Sequence, residues 1–119
     1  MIEKTIVRIL QKKRLTVAIA ESCTGGLICH ALTNIPGSSQ VFLCGVVAYA
    51  DAVKSKVLGV KPETLKLHGA VSKETALELA QNIRRLASSP TGLGITGIAG
   101  PSGGSPAKPI GTVFIAVSI

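Results

Sequence analysis

A turn of small residues after the first apolar run of the chain holds a hydroxyl and a thiol that could do chemistry. Residues 20–26 read A-E-S-C-T-G-G, with Ser22 at the turn and a predicted helix directly after it. Ser22 is a candidate nucleophile, and the paired glycines would let backbone N–H groups approach an anion or a developing oxyanion closely. Taken alone, the same pattern also fits a helix-capping serine beside a core cysteine.

A second segment, residues 49–54, combines the only tyrosine of the chain, Tyr49, with Lys54. A serine needs a base before it can attack an amide at neutral pH. Removal from water favours the neutral form of an amine, so a partly buried lysine can act as that base. Lys54 is therefore the candidate base, with an ordinary surface lysine as the alternative. Neither His30 nor His68 lies at a spacing that suggests a catalytic or metal-binding role.

The third candidate segment, residues 92–104, is rich in glycine and contains Thr96 at the end of a predicted strand. Dense glycine exposes backbone donors and suits contact with a phosphate or a ribose. The spacing of Gly92, Gly94 and Gly97 formally matches the dinucleotide-binding pattern. That pattern should open a helix, whereas here it overlaps a strand and leads into a Pro-rich loop, so we discount it.

Charge and composition exclude several classes of protein. The 13 basic and six acidic residues give a net charge of +7, but no basic run is interleaved with aromatic residues, so a nucleic-acid partner is not expected. The longest apolar runs are about half of the roughly 20 residues that a membrane span needs, so no membrane partner is expected. Three cysteines without metal-ligand spacing predict reduced thiols in the cytoplasm. Six acidic residues offer no metal site, and we expect none.

The elements that must position these side chains alternate between strands and helices, which predicts an α/β domain with a largely parallel sheet. Strands are predicted at 16–21, 41–50, 93–96 and 111–118. Helices are predicted at 2–13, 27–33, 52–58 and 62–67, and a last one begins after the N-cap Ser72. The residues predicted to face the core are Ile2, Ile6, Ile9 and Leu10 on the first helix, and Ala76, Leu79, Ala80, Ile83 and Leu86 on the last.

Six motifs in order give the chain a family resemblance. They are A-E-S-C-T-G-G at 20–26, P-G-S-S at 36–39, G-V-V-A-Y-A-D-A-V-K at 45–54, H-G-A-V-S at 68–72, T-G-I-A-G-P-S-G-G at 96–104 and K-P-I-G-T-V at 108–113. Together they resemble the CinA C-terminal domain family, which includes PncC-like nicotinamide mononucleotide deamidases. The resemblance implies a three-layer α/β/α sandwich with a largely parallel or mixed central sheet. It also implies hydrolysis of the carboxamide of nicotinamide mononucleotide to nicotinate mononucleotide and ammonia, without metal or cofactor.

The resemblance assigns roles to residues of this chain. Ser22 would be the nucleophile and Lys54 its base, while Tyr49 and Thr96 would position or polarise the reacting groups. The residues expected to contact the substrate are Glu21, Thr24, Gly25, Gly26, Gly97, Gly100 and Gly103. Around the tyrosine, where the family usually has a serine and an asparagine, this chain has Ala48, Ala50 and Asp51. A non-catalytic module that binds a nucleotide or a partner, linked to competence or DNA damage, is the alternative function.

The length fits one domain over residues 1–119. Members of the family generally continue beyond the last predicted strand into further helical structure, so the domain is expected to lack that helical segment. Without it, strand 111–118 would leave apolar side chains uncovered. Because uncovered apolar strands promote association, the sequence predicts a homo-oligomer.

Overall fold

A four-stranded sheet organises the computed structural model, which describes all residues 1–119. The strands are β1 (Val17–Glu21), β2 (Phe42–Val47), β3 (Gly92–Gly97) and β4 (Val113–Ser118). The helices are α1 (Ile2–Lys13), α2 (Leu27–Thr33), α3 (Asp51–Leu58), α4 (Pro62–His68) and α5 (Lys73–Leu86), with a 3₁₀ turn at Ser38–Gln40. The order of elements agrees with the prediction. The largest boundary difference is at β2, which ends three residues early because the chain turns there into α3.

The strand order in the sheet is β2-β1-β3-β4. β1 pairs in parallel with β2 on one side and with β3 on the other, while β4 runs antiparallel to β3. The chain therefore crosses from one side of β1 to the other between β2 and β3. In open α/β sheets, such a reversal leaves a crevice at the carboxyl ends of the central strands, where ligands bind.

Helices cover the two faces of the sheet and form the three-layer α/β/α sandwich that was predicted. Successive residues of β1 point to opposite faces, and all five are buried. The core under α1 and α2 consists of Val7, Val17, Ile19, Leu32, Ile35, Val41 and Ile95. The core under α3, α4 and α5 consists of Ala18, Ala20, Ala48, Leu58, Val60, Leu79 and Ile83.

Glycines on β3 let α5 lie directly against the sheet. A Cβ on Gly94 would overlap the carbonyl oxygen of Ala76, and one on Gly92 would overlap that of Ala80. The helix begins at the N-cap Ser72, whose side-chain oxygen accepts a hydrogen bond from the backbone N–H of Thr75 at 3.1 Å. This close contact fixes β3, and with it Thr96, relative to the start of α5.

The predicted buried face of α1 is wrong. Ile2, Ile6 and Ile9 are 71%, 40% and 48% exposed, whereas Val7 is 1% exposed and Leu10 is half-buried. The apolar residues of α1 cover a little less than half of its circumference, and only the edge that carries Val7 and Leu10 meets the core, so periodicity alone does not select the stripe that packs. On α5, Ala76, Leu79, Ala80 and Ile83 are buried as predicted, but Leu86 in the last turn is exposed.

One face of β4 has no helix over it. Val113, Ile115 and Val117 are 47%, 67% and 56% exposed, and these three residues form what we call the β4 apolar face. They alternate with Phe114, Ala116 and Ser118, which are less exposed and lie on the α5 side of the sheet. None of the helices combines the length and the apolar character needed to cross a membrane.

Candidate active site

A cavity of about 210 Å³ lies at the carboxyl ends of β1, β2 and β3, where the chain changes sides. The lining residues come from the ends of β1 and β3 and the loops after them, and from the loop and helix that follow β2. The segment before α5 contributes two more. The lining residues are Ser22, Cys23, Tyr49, Asp51, Lys54, Ala70, Val71, Thr96, Gly97 and Ala99. A larger cavity of about 480 Å³, between α1 and residues 34–36, contains neither a serine nor a cysteine nor a buried base.

Ser22 directly follows β1, is 6% exposed and lines the cavity. Its hydroxyl makes no hydrogen bond within the protein, so it is free to meet a ligand. The carbonyl of Ser22 accepts from the N–H of Gly25 at 3.0 Å, which closes the turn. The N–H groups of Cys23 and Thr24 donate to no acceptor within the protein. Free amides beside a nucleophile are the donors that an oxyanion requires.

Glu21 lies behind the turn and holds it in shape. The residue is fully buried, and its Oε1 accepts hydrogen bonds from the backbone N–H groups of Gly26 at 3.2 Å and Ile28 at 3.1 Å. Its Oε2 accepts from the N–H of Cys29 at 2.9 Å. The carboxylate thus binds the amino end of α2, where backbone N–H groups have no partner within the helix. Predicted to contact substrate, Glu21 does not line the cavity.

These contacts change the ionisation of two groups. Burial raises the pKa of Glu21, but the donors around its carboxylate outweigh burial and leave that pKa below its usual value. The backbone N–H groups of Ile28 and Cys29 are the donors with good hydrogen-bond geometry, whereas the Thr24 hydroxyl is buried without a partner. Burial and the adjacent Glu21 raise the pKa of Cys29 to about 12. Cys29 is therefore an unreactive thiol, and Glu21 is an anion at neutral pH.

Lys54 is buried to 1% exposure in the first turn of α3 and still reaches the cavity. Its Nζ donates to the carbonyl oxygen of Tyr49 at 3.0 Å and lies 3.6 Å from Oδ1 of Asp51. Both partners come from the loop after β2. The structure thus places the amine of Lys54 and the hydroxyl of Ser22 on one small cavity, excluded from bulk water on the lysine side.

Thr96 and Tyr49 have different positions at the cavity. Thr96 is fully buried, and its hydroxyl donates to the carbonyl of Ala70 at 2.8 Å. That bond ties β3 to the segment that forms one wall of the cavity. The same segment is held at Gly69, whose carbonyl accepts from the hydroxyl groups of Ser72 and Thr75. The side chain of Tyr49, by contrast, is at the mouth, where the residue is 68% exposed.

Among the predicted glycine contacts, only Gly97 lines the cavity. Gly25 and Gly26, with φ of +61° and +99°, shape the turn after Ser22, and Gly100 and Gly103 lie in the loop beyond β3. Thr24 also lies off the cavity. Sequence reasoning missed the lining residues Asp51, Ala70, Val71 and Ala99, and it noted Cys23 only as a thiol beside Ser22. Asp51 could have been found from its spacing of three residues before Lys54. No three His, Cys, Asp or Glu side chains cluster so as to hold a metal ion.

Comparison with known proteins gives concordant matches. The model of the family described as CinA C-terminal domain matches residues 1–119. A competence-damage inducible protein from Caldanaerobacter subterraneus subsp. tengcongensis is 58% identical over 113 residues, which are 95% of this chain and 27% of that protein. A CinA-like protein from Thermotoga maritima is 50% identical over 113 residues, with 95% and 28% covered. This chain therefore spans about a quarter of the length of these curated relatives.

Solved structures have the same fold. The crystal structure of the competence/damage inducible protein CihA from Agrobacterium tumefaciens is similar with a TM-score of 0.93 and 45% identity, over 97% of this chain and 70% of that chain. A CinA superfamily protein from Escherichia coli gives a TM-score of 0.94 at 33% identity, over 98% of this chain and 68% of that chain.

Proposed function

The chain belongs to the CinA C-terminal domain family, and from that premise we propose that it is a nicotinamide-nucleotide amidohydrolase. The reaction converts nicotinamide mononucleotide and water to nicotinate mononucleotide and ammonia. One observation carries the proposal: a hydroxyl without an internal partner and the amine of a buried lysine share a cavity of about 210 Å³. The resemblance in motifs supports the choice of substrate.

In the first half of the reaction, Ser22 Oγ attacks the carboxamide carbon while the amine of Lys54, after release of its own proton to solvent, accepts the hydroxyl proton. Such base assistance is what a serine requires at neutral pH. The carbonyl oxygen becomes an oxyanion, for which the N–H groups of Cys23 and Thr24 are the nearest free donors along the chain. The Lys54 ammonium then gives its proton to the departing nitrogen, so that ammonia leaves and an ester on Ser22 remains.

In the second half, water replaces ammonia. The amine of Lys54 takes a proton from the water as its oxygen attacks the ester, and returns that proton to Ser22 Oγ as the ester bond breaks. Nicotinate mononucleotide is released and the starting state is restored. Thr96 supports these steps through Ala70, because its hydroxyl already donates to that carbonyl and holds the cavity wall. Tyr49 contributes its carbonyl, which orients the Lys54 amine at 3.0 Å.

Removal of the Ser22 hydroxyl is the direct test. We expect Ser22→Ala to reduce ammonia release from nicotinamide mononucleotide by at least about a thousandfold, since the substitution removes the proposed nucleophile. Thermal unfolding should change little, because the hydroxyl makes no internal hydrogen bond. Ser38→Ala is the matched control, since Ser38 is 8% exposed and lies away from the cavity.

Ammonia release unchanged by Ser22→Ala would remove the proposed mechanism. Binding of the nucleotide without ammonia release by the unmodified chain would instead favour a non-catalytic binding module. Because the chain spans about a quarter of its curated relatives, the assay should be run both on this chain and on a full-length relative. Activity in neither protein would contradict the proposed substrate.

A further inference from the structure

Asp51 is the only acidic side chain on the cavity, and Lys54 is the only basic one. The two sit at different depths: the side chain of Lys54 is 2% exposed, and that of Asp51 is 67% exposed. The carboxylate therefore lies at the mouth, on the path that a ligand takes to Ser22. Its Oδ1 is 3.6 Å from Lys54 Nζ, while Oδ2 is free of any ion pair or hydrogen bond within the protein.

The carboxylate changes what the cavity can accept. The chain carries a net charge of +7, and Lys54 adds a cation close to Ser22. Without Asp51, a positively charged group entering the cavity would meet only positive charge. With Asp51 present, the two lining charges cancel, and the outer part of the cavity is negative. A cationic group is therefore attracted at the mouth rather than repelled.

The proposed substrate carries such a group next to the bond that breaks. In nicotinamide mononucleotide the ring nitrogen is bonded to ribose and is positively charged, and the carboxamide is attached to the same ring. With the carboxamide carbon at Ser22, the charged ring must lie within a ring's width of that serine. Asp51, with its side chain 67% exposed at the mouth, lines the same small cavity as Ser22, so a ring at the mouth lies close to its carboxylate. The product differs by a new carboxylate on the ring, which Asp51 would repel.

We propose that Asp51 is a specificity-determining residue that selects carboxamides on a cationic ring over carboxamides on a neutral ring, and that disfavours retention of the acid product. The inference rests on the proposed amidohydrolase function and extends it by specifying that the ring of the preferred substrate is positively charged.

A matched pair of substrates tests the inference. Nicotinamide mononucleotide has a cationic ring, and its dihydro form has a neutral ring with the same carboxamide, ribose and phosphate. We expect Asp51→Asn to raise KM for the cationic substrate about fivefold, the size expected of a partly exposed charge pair. KM for the dihydro form should change less than about twofold. Nicotinate mononucleotide keeps the cationic ring and adds a carboxylate, so the attraction and the repulsion by Asp51 oppose each other, and its inhibition constant should change less than KM for the cationic substrate.

Two further variants control the result. Asp51→Glu keeps the carboxylate and should retain the preference for the cationic ring. Glu63→Gln makes the same change in net charge on the exposed surface of α4 and should leave both KM values within about twofold. An equal effect of Asp51→Asn on the two substrates, mainly in kcat, would overturn the inference, because Asp51 would then act only by holding Lys54. No effect on either substrate would overturn it as well.

Binding measurements separate this inference from the proposed reaction. Ser22→Ala and the double variant Ser22→Ala/Asp51→Asn can be titrated with the cationic and the dihydro nucleotide without turnover. A preference for the cationic form that is lost in the double variant would support the role of Asp51 even if the unmodified chain releases no ammonia. Equal affinity for the two forms in Ser22→Ala would contradict the inference, whatever the catalytic assay shows.

Discussion

Two neighbouring side chains after β1 have separate functions. Ser22 faces the cavity with a free hydroxyl, while Glu21 faces away from it and accepts three backbone N–H groups at the start of α2. Glu21 therefore sets the shape of the turn, and in our proposal Ser22 sets its reactivity. A change in Glu21 should act on stability first, and on catalysis only through the position of the turn.

We expect Glu21→Gln to lower the free energy of unfolding by about 2–3 kcal/mol at pH 7. The amide must turn an N–H₂ group toward backbone N–H groups that the carboxylate now accepts, which leaves buried donors without partners. Urea unfolding of the two proteins measures the loss. Cys29→Ser keeps the backbone N–H that donates to Glu21, so it should lower the free energy of unfolding by less than Glu21→Gln does.

The same substitution should alter the dependence of stability on pH. The pKa of Glu21 in the folded protein is lowered from the ordinary value of 4.5. Its contribution is therefore complete above about pH 4.5 and is lost as the pH falls through the folded value. The stability difference between the unmodified protein and Glu21→Gln should narrow on acidification below pH 4.5. A difference that widened toward low pH would show that the carboxylate is not the stabilising form.

The sequence alone singled out Ser22, Tyr49, Lys54 and Thr96, and the structure brings all four to one cavity; their catalytic roles stay predictions. Their grouping was predictable because each lies at or just beyond the carboxyl end of a strand. The cavity wall at Ala70 and Val71 was not predictable from spacing, because it comes from a loop whose position depends on the hydrogen bond to Thr96. The prediction that Glu21 contacts the substrate was wrong, because the sequence alone does not show whether a carboxylate next to a nucleophile faces the ligand or the backbone.

Among the elements, the contact between α5 and β3 is the closest in the fold. Gly94→Ala should lower the free energy of unfolding by about 2–3 kcal/mol, since the added methyl overlaps the Ala76 carbonyl and the helix must move away. The shift would also displace Thr96, so catalytic activity should fall with stability.

Gly111→Ala provides the contrast. No atom lies within 4 Å of a Cβ at that position, but φ is +92°, so its cost comes from backbone conformation alone. Denaturant unfolding of both variants, with melting temperatures, measures the difference. A cost for Gly94→Ala no larger than that for Gly111→Ala would show that α5 can move from β3 without penalty.

The order and type of the elements were predictable because apolar runs and glycine-rich turns mark each strand. The buried stripe of α1 was not, because Ile2, Ile6, Val7, Ile9 and Leu10 form one apolar arc that is wider than the stripe the core covers. Only the position of the sheet decides that Val7 is covered. The early end of β2 likewise depends on where α3 must begin so that Lys54 reaches the cavity.

At the scale of the whole molecule, we propose that the β4 apolar face mediates association. We expect the chain to form homo-oligomers through this face, because three alternate aliphatic side chains on an edge strand are exposed together. Ile115→Lys should weaken self-association by at least about tenfold, since a charge would be buried at the contact. Sedimentation velocity over a range of protein concentrations measures the change.

Leu67→Lys is the control, since Leu67 is 77% exposed on α4, away from β4. It adds the same charge and should leave the association constant nearly unchanged. A monomer at every concentration, or an equal effect of the two substitutions, would show that the β4 apolar face does not mediate association.

The strand order has a consequence for how the protein is made. β1 pairs with β3 through Ala18 and Gly92, which are 74 positions apart along the chain. At 5–20 residues per second, β1 leaves the ribosome roughly 4–15 s before its partner does. During that interval Ser22 has no Thr96 opposite it and no wall at Ala70. The nascent chain thus holds its proposed nucleophile in an unfinished pocket until β3 and the segment before α5 have both emerged.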